Sequence, residues 1–324
     1  GGWRIHSMLI LYTFNGTNWE FHSLMEPFET EQYNVSVWRF SVFTTRLIKE
    51  KDDELYIYRE KNVASNNDAG GIKIVKYSSE NNSWVTTNHI SHNYITNNTD
   101  RYGQSFEFCR DFLIVGWSLS SEYNGVDNYQ SSVGKVEIWK YNGSNYEKIQ
   151  KIFPDTIVNN TKFGYRLSVF DDMFIVGKQN NDPIKVYKLN SDKSGFIEHS
   201  TISPPGSSNF GYNCAILNGN YAYIDNNGTT ILEYKYENNT WTATGNSFVI
   251  ANSSTYNRFK VIKDKLIINY NHANSEDHIL TGTQDGTFPV LSKKISEITM
   301  RTNINDLSLN VQNFAVRDST GTIN

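Results

Sequence analysis

A pattern that begins with an aromatic residue followed by glycine recurs along the chain, and it constrains the fold more than any other feature. It begins at Phe163 and at Phe210, 47 residues further on, and a third copy begins at Tyr102. After each copy, apolar residues alternate with small or polar ones, which is the period-two signature of a β-strand. A polar turn and a second apolar run follow each time, as in 171–177. Each copy therefore predicts two strands joined by a tight turn.

The segments that follow these strand pairs are equally regular. Each has a strand ending in an aromatic residue or leucine, then a polar turn, then another aromatic residue. Asn-Gly and Asn-Asn at these turns supply the positive φ angles that tight hairpins need. The two halves together predict a unit of four antiparallel strands, A to D, in about 45 to 60 residues, which is a β-propeller blade. The five copies of the second half span 11–19, 72–84, 136–146, 184–196 and 231–241.

The two ends of the chain predict how the propeller closes. The N-terminal region supplies only strands C and D, near 5–14 and 19–24, whereas 307–316 match strands A and B. The ends would share one blade, which leaves no open sheet edge. We therefore predict one all-β domain, 1–324, folded as a six-bladed β-propeller, with seven blades as the alternative. The predicted blades are 1–36 with 301–324, 37–101, 102–162, 163–209, 210–256 and 257–300.

The strings at 102–116, 163–177 and 210–224 resemble the FG-GAP repeat. This resemblance implies a propeller like the heads of integrin α subunits and like repeat proteins on protist and bacterial surfaces. Integrin-type blades often carry an Asp-x-Asp-x-Asp-Gly loop, whose carboxylates bind calcium. The nearest segments here, 66–71 and 122–127, hold too few carboxylates. We therefore predict no cofactor, with calcium as the disfavoured alternative.

Composition and charge exclude several classes of protein. Aromatic residues make up 14% of the chain, which disordered chains lack. A net charge of −4 offers no basic surface for nucleic acid, and no run of apolar residues is long enough for a membrane span. We expect neither partner.

Cys109 and Cys214 lie in strand-like apolar runs, which favours buried free thiols over a disulfide.

Motifs of catalysis and metal binding are sparse. No Walker loop, GxSxG or HExxH string occurs. His89 and His92 have HxxH spacing but no third ligand nearby, and residues three apart on a strand face opposite sides. The segment 283–288 is one residue short of an Asp-box, which is a structural turn in any case. The sequence therefore predicts no catalytic residue, no metal site and no enzyme.

Two long loops are the candidate partner-binding surface. The connections between strands B and C at 59–71 and 117–134 are longer than their counterpart at 178–183. Long loops in an economical repeat carry function or disorder. Aromatic residues among Ser, Asn and Gly suit recognition of a protein or glycan, whereas a functionless Asn-rich insertion is the alternative. The candidate residues are Trp117, Tyr123, Asn124, Asp127, Tyr129, Asn66 and Asp68.

The chain contains nine Asn-x-Ser/Thr sequons, and their placement is more informative than their number. Four lie in hairpins between strands C and D, where an oligosaccharide would not disturb a sheet. Turns also attract Asn and Thr without glycosylation. We predict a secreted or surface glycoprotein, N-glycosylated at Asn15, Asn34, Asn81, Asn97, Asn142, Asn159, Asn227, Asn238 and Asn252.

These observations lead to one preferred function and two alternatives. The preferred one is a non-enzymatic extracellular or surface module that binds a protein or glycan or builds a larger assembly. The first alternative is a carbohydrate-active propeller enzyme with carboxylates in its central channel. A cluster of two or three buried carboxylates of raised pKa that converge there would favour it, and a channel lined by apolar side chains of strands A would count against it. The second is an intracellular propeller scaffold, in which the sequons would be accidental.

Overall fold

The computed structural model describes an all-β chain, and the described residues contain no helix. It divides into two compact units, residues Gly1–Gly103 with Ile298–Asn324 and residues Gln104–Glu297. The residues described are 9–14, 18–25, 48–51, 53–59, 71–91, 102–123, 129–179, 182–206, 210–228, 230–249, 258–262, 265–269, 278–281 and 290–294.

The first unit contains a hairpin and a four-stranded sheet. β1 pairs with β2, and β3 to β6 form an antiparallel sheet in chain order, the β3 sheet. The strands predicted near 5–14 and 19–24 are confirmed in outline by β1 and β2. The bounds are β1 Leu9–Phe14, β2 Trp19–Met25, β3 Ile48–Lys51, β4 Glu54–Arg59, β5 Gly71–Ser78 and β6 Ser83–Ile90.

The second unit contains four more four-stranded antiparallel sheets, named here by their first strands, β7, β13, β17 and β21. The β7 sheet is formed by β7, β8, β11 and β12, because the hairpin β9–β10 lies within its connection between strands B and C. The bounds are β7 Ser105–Cys109, β8 Phe112–Trp117, β9 Glu122–Tyr123, β10 Tyr129–Gln130, β11 Lys135–Tyr141, β12 Tyr146–Ile152, β13 Arg166–Phe170, β14 Met173–Gly177, β15 Ile184–Leu189, β16 Phe196–Ile202, β17 Phe210–Leu217, β18 Tyr221–Asn226, β19 Thr230–Glu237, β20 Thr240–Val249, β21 Arg258–Ile262, β22 Lys265–Asn269, β23 His278–Thr281 and β24 Val290–Lys294.

The turns between strands A and B have the geometry that their polar residues predicted. Arg110, Asp171 and Asn218 all have φ between 51° and 54°. Residues with short polar side chains tolerate this left-handed region best, and Arg110 adopts it in the same turn position. Each turn joins two strands in direct antiparallel register, such as Phe170 opposite Met173. The predicted meander of strands is therefore confirmed in these sheets.

The aromatic-glycine pair marks the same structural position in each copy. The glycines Gly103, Gly164 and Gly211 have φ of 82°, 85° and 89°. A Cβ atom at Gly164 would lie 2.7 Å from the carbonyl oxygen of Lys135, and one at Gly211 would lie 2.3 Å from the Ile184 Cδ1 atom. Glycine is required at this position for two reasons. Its own φ is positive, and its backbone lies too close to strand C of the preceding sheet for a side chain to fit. The aromatic partners Tyr102, Phe163 and Phe210 are buried, with at most 1% exposed.

Hydrophobic cores lie between consecutive sheets of the second unit. Phe112 and Phe174 both contact Phe196 edge to face, at centroid distances of 5.3 and 5.0 Å. The cluster between the β13 and β17 sheets includes Trp241 from the hairpin of strands C and D. Phe196 and Trp241, which both lie in hairpins of strands C and D, pack in these cores, whereas Tyr141 is 49% exposed.

Both cysteines are buried and free, as the sequence predicted. Each lies in a strand A, Cys109 in β7 and Cys214 in β17. The Cys109 thiol donates to the carbonyl oxygen of Asp171, 3.2 Å away, in the turn of the next sheet.

A repeated side-chain pattern joins strands D and was missed in the sequence. The indole N–H of Trp84 donates to Ser23 Oγ at 3.1 Å, and that of Trp241 donates to Ser200 Oγ at 2.9 Å. The neighbouring His199 ring nitrogen lies 3.0 Å from the Tyr236 hydroxyl. The His-Ser dipeptides at 22–23 and 199–200 therefore hold the next hairpin in place, rather than binding a ligand.

The described sheets fit the blades of a β-propeller, since each four-stranded sheet is an antiparallel meander and hydrophobic cores lie between consecutive sheets of the second unit. The predicted C-terminal strands at 307–316 lie outside the described residues, as does the Asp-box-like segment 283–288.

Candidate functional site

The described part of the predicted partner-binding loop at 117–134 makes contacts within the protein, and the backbone carbonyl groups of residues 131–133 accept hydrogen bonds from residues 160–163. Trp117 is buried, at 3% exposed, and the Lys135 Nζ atom lies 4.2 Å from its ring centroid. Lys135 also donates to Glu122 Oε1 at 2.6 Å. Tyr129 is 48% exposed, and its backbone pairs with that of Tyr123 in the β9–β10 hairpin. The other candidates, Asn124, Asp127, Asn66 and Asp68, lie outside the described residues.

The sequons that the structure describes lie at exposed positions. Asn142 lies in a turn where its side-chain oxygen accepts from the backbone N–H groups of Ser144 and Asn145, each at 2.9 Å. These two hydrogen bonds are enough to explain an asparagine at position 142, with or without a glycan, so glycosylation stays a prediction. The exposed sequon asparagines are Asn81, Asn142, Asn159, Asn227 and Asn238. Asn15, Asn34, Asn97 and Asn252 lie outside the described residues.

A connected polar array that the sequence analysis did not select lies where strands A begin and strands B end. Arg166 begins β13, and Asn213 is its counterpart in β17, 47 residues later. Arg166 Nε donates to Asn213 Oδ1 at 3.2 Å, and Asn213 Nδ2 donates to Asp225 Oδ2 at 3.3 Å. The amide of Asn213 thus links a cation on one sheet to a carboxyl group on the next.

The Asp225 carboxyl group is the chemically distinctive member of this array. It lies near the end of β18 and is 4% exposed. Burial raises the pKa of Asp225 to about 6, although hydrogen bonds from the Gly228 backbone and the Asn213 amide act in the opposite direction. A carboxyl group of that pKa exchanges a proton near neutral pH, which suits general acid–base chemistry.

The repeat shows why a carboxylate at this position is unusual. The residues that match Asp225 in the two preceding sheets are Gly116 and Gly177. A Cβ atom at Gly116 would lie 2.1 Å from the Gly164 oxygen, and one at Gly177 would lie 3.1 Å from the Gly211 oxygen. Only the strand register reveals this match, because the turn before β18 is one residue longer than the turn before β14.

Aromatic rings lie beside the cation of the array. The Tyr165 and Tyr212 rings have centroids 4.2 Å apart, and the Arg166 guanidinium carbon lies 4.9 Å from the Tyr165 centroid. Tyr165 is buried, whereas Tyr212 and Arg166 are partly exposed. The array is therefore reached from solvent beside Tyr212 and Arg166, and it offers both ring faces and charged groups.

Buried polar atoms without a hydrogen-bond partner are concentrated at this same edge of the sheets. Most buried polar groups in proteins are paired, so such a concentration calls for a physical reason. Binding of a polar ligand is one such reason, because the ligand can provide the hydrogen-bond partners that these atoms lack. Within the described residues, the unpartnered atoms at this edge are Gln104 Oε1, Ser118 Oγ, Ser120 Oγ, Arg166 Nη2 and Gln179 Oε1.

Two lysines at the same end of the β13 sheet have carboxylate partners. Lys178 follows β14, and its Nζ atom lies 3.5 Å from Asp182 Oδ2. Burial lowers the pKa of Lys178 to about 8. Lys185 donates to Glu198 Oε2 at 2.6 Å and also to Asp155. Both cations are thus neutralised within the protein, unlike Arg166.

A second buried carboxylate in the β17 sheet is fully engaged in hydrogen bonds. Glu233 is 1% exposed and accepts from the Tyr223 hydroxyl at 3.1 Å, the Thr244 hydroxyl at 2.9 Å and the Asn246 amide at 2.8 Å. These bonds indicate a structural role. The described residues contain no group of three or more His, Cys, Asp or Glu side chains that could hold a metal ion.

The chain is similar in fold to solved structures of very different sequence. The periplasmic gluconolactonase PpgL of Pseudomonas aeruginosa is 11% identical, with a TM-score of 0.52 over 87% of this chain and 77% of its own. A functionally unknown protein from Desulfotomaculum acetoxidans is 9% identical, with a TM-score of 0.50 over 76% of this chain and 68% of its own. No protein-family model and no curated protein matches the chain. At these identities the similarity shows the fold alone.

These similarities correct the preferred function. The prediction of a non-enzymatic binding or structural module is contradicted on one point, because a solved structure that shares this fold over 87% of the chain is named as a gluconolactonase. The same comparison agrees better with the first alternative, a carbohydrate-active propeller enzyme, which stays a proposal. Membership of the FG-GAP family, secretion and the identity of a partner stay predictions. The described residues contain no helix long and apolar enough to cross a membrane.

Proposed function

We propose that this chain is a carbohydrate-active enzyme that hydrolyses a sugar lactone, with Asp225 as its general base. The observation that carries the proposal is the array of Arg166, Asn213 and Asp225, which joins a buried carboxyl group to a cation across two sheets. The substrate class is suggested by the similarity in fold to a gluconolactonase. Perturbed carboxyl groups near an open polar surface are typical of active sites.

The array supplies the groups that this hydrolysis needs. The Asp225 carboxylate takes a proton from a water molecule, whose oxygen attacks the lactone carbonyl carbon. The carbonyl oxygen then carries negative charge, which the Arg166 guanidinium stabilises. The bond between the carbonyl carbon and the ring oxygen breaks, the ring oxygen takes up the proton from Asp225, and the product is an open-chain sugar acid.

The test is hydrolysis of D-glucono-1,5-lactone by the wild-type chain and by Asp225→Asn. Removal of a general base typically lowers the rate about 10²- to 10⁴-fold, so we expect a loss in that range, corrected for spontaneous hydrolysis. The control is Asp111→Asn, because Asp111 is exposed in a turn between strands A and B at the other edge of its sheet. Equal rates for wild type and Asp225→Asn would contradict the proposal.

The pH dependence of the rate gives an independent check. Burial raises the pKa of Asp225 to about 6, and only the ionised carboxylate can accept a proton. The rate should therefore rise with pH through about 6 and then level off. A rate that is flat between pH 5 and pH 7, after subtraction of the uncatalysed reaction, would exclude Asp225 as the base.

We further propose that the sheets belong to a six-bladed, FG-GAP-like propeller of a secreted or surface glycoprotein. The repeat of four-stranded sheets, the glycines of positive φ and the exposed sequons support this proposal. Glycopeptide mass spectrometry of protein from its native source, at Asn81, Asn142 and Asn238, tests the location. Unmodified asparagine at all three would favour the intracellular alternative.

A further inference from the structure

Within the described residues the guanidinium group of Arg166 forms no ion pair, whereas several other cations of this unit do. Arg110 pairs with Asp171 Oδ1 at 2.9 Å, and Lys135 pairs with Glu122. No described carboxylate forms an ion pair with Arg166, and its nearest polar partner is the neutral amide oxygen of Asn213. A partly buried cation without an anionic partner is unfavourable unless a ligand supplies one.

The hydrogen bonds of Arg166 show which kind of anion would fit. Its Nε atom donates to Asn213 Oδ1, while its Nη2 atom is buried and has no partner in the described part of the chain. Nε and Nη2 form one edge of the planar guanidinium, and this edge matches the two oxygens of a carboxylate. One amide oxygen occupies half of the edge, so a carboxylate oxygen can bind the other half.

We propose that Arg166 is the carboxylate-binding residue of this site, and that the chain binds open-chain sugar acids there. The proposal rests on the proposed function, because the product of lactone hydrolysis is such an acid. Arg166 is held in place by the Tyr165 ring and by Asn213, which is itself fixed by Asp225.

The test is isothermal titration calorimetry of the full chain with D-gluconate and with D-glucitol. The two ligands have the same carbon chain, but glucitol carries a hydroxyl where gluconate carries the carboxylate. We expect gluconate to bind at least tenfold more tightly than glucitol, and Arg166→Gln to remove that difference. Arg166→Lys keeps the charge but loses the Nη2 donor, so its affinity for gluconate should lie between those of the wild type and of Arg166→Gln. Arg110→Gln, in an exposed turn, should bind gluconate as the wild type does.

Several results would overturn the proposal. Equal affinities for gluconate and glucitol would show that no carboxylate is recognised, and unchanged gluconate binding by Arg166→Gln would place recognition elsewhere. Tighter binding of inorganic phosphate than of gluconate would assign the site to phosphate instead. Thermal melting of each variant checks folding. If Arg166→Gln does not fold, the Arg166→Lys variant provides the test, and undiminished gluconate affinity in that variant refutes recognition by the Nη2 donor.

The binding test and the hydrolysis test can fail separately. Gluconate binding that depends on Arg166, in a chain that does not hydrolyse the lactone, refutes the proposed reaction and leaves the carboxylate site standing. Lactone hydrolysis that depends on Asp225, together with gluconate binding that ignores Arg166, refutes the carboxylate site alone.

Discussion

The substitution Gly164→Ala tests the close approach between consecutive sheets. Gly164 has φ of 85°, and a Cβ atom there would lie 2.7 Å from the Lys135 carbonyl oxygen and 3.2 Å from the Gly116 Cα atom. Both neighbours are backbone atoms, so neither can move aside by changing a rotamer. The chain offers a matched control in Gly206, which has φ of 94° but no heavy atom within 4 Å of the position that a Cβ atom would take.

The two substitutions separate backbone strain from steric overlap. An L-residue at positive φ costs roughly 1–2 kcal/mol relative to glycine, so Gly206→Ala should lower the free energy of unfolding by about that amount. Gly164→Ala has the same strain and also an overlap with backbone, and overpacking typically adds roughly 1–3 kcal/mol. The difference between the two variants therefore measures the contact between the β7 and β13 sheets.

Urea denaturation followed by tryptophan fluorescence is the appropriate assay. Gly164→Ala should have a clearly lower midpoint than Gly206→Ala, with similar slopes for both variants. Equal midpoints would show that the aromatic-glycine segment does not approach strand C of the preceding sheet. That result would refute the structural reason given for the repeated glycine.

Three further predictions follow from buried side chains. Phe163→Asp should unfold its sheet, since Phe163 is 1% exposed and an unpaired charge would replace it; an unchanged thermal melt would contradict the register. Because burial raises the pKa of Asp225 to about 6, the folded state retains a proton that the unfolded chain releases, so stability should fall as pH rises from about 4 to about 6. Asp225→Asn should abolish that slope and be more stable at pH 7 by up to about 3 kcal/mol, as urea titrations at several pH values would show. Burial raises the pKa of the Cys109 and Cys214 thiols to about 12, so a thiol reagent at pH 8 should label neither until urea is added; labelling of the folded chain would contradict their burial.

Strand order and turns could be predicted from the sequence because they depend on local chemistry. Alternating apolar residues fix which side chains face a neighbouring sheet, and polar turn residues fix where a strand reverses. The aromatic-glycine pair was predictable for the same reason, since positive φ at Gly103, Gly164 and Gly211 is a property of the glycine itself. These features repeat, and each copy supports the others.

The candidate site could not be predicted in the same way, because it depends on contacts between sheets. Arg166 and Asn213 each look like an ordinary polar residue in an alternating strand, and nothing in one copy indicates that the two side chains meet. The exposure of the loop aromatics depends on such contacts as well, since the Trp117 ring is 3% exposed with the Lys135 Nζ atom 4.2 Å from its centroid, whereas Tyr129 is 48% exposed. Function was expected where the loops are long, whereas the perturbed carboxyl group lies at the end of a regular strand.

The repeat itself indicates where such a site can arise. A backbone approach that forbids a side chain at Gly116 and Gly177 keeps those positions chemically inert. Asp225 takes the equivalent position in β18 and places a carboxyl group between two sheets, where burial alters its proton affinity. Arg166 differs in a similar way, since it is a cation at a position that Ser105 and Asn213 fill in the neighbouring copies. Residues that depart from the repeat without weakening its hydrogen-bonded strands are therefore the strongest candidates for chemistry, and in this chain two of them are joined through one asparagine.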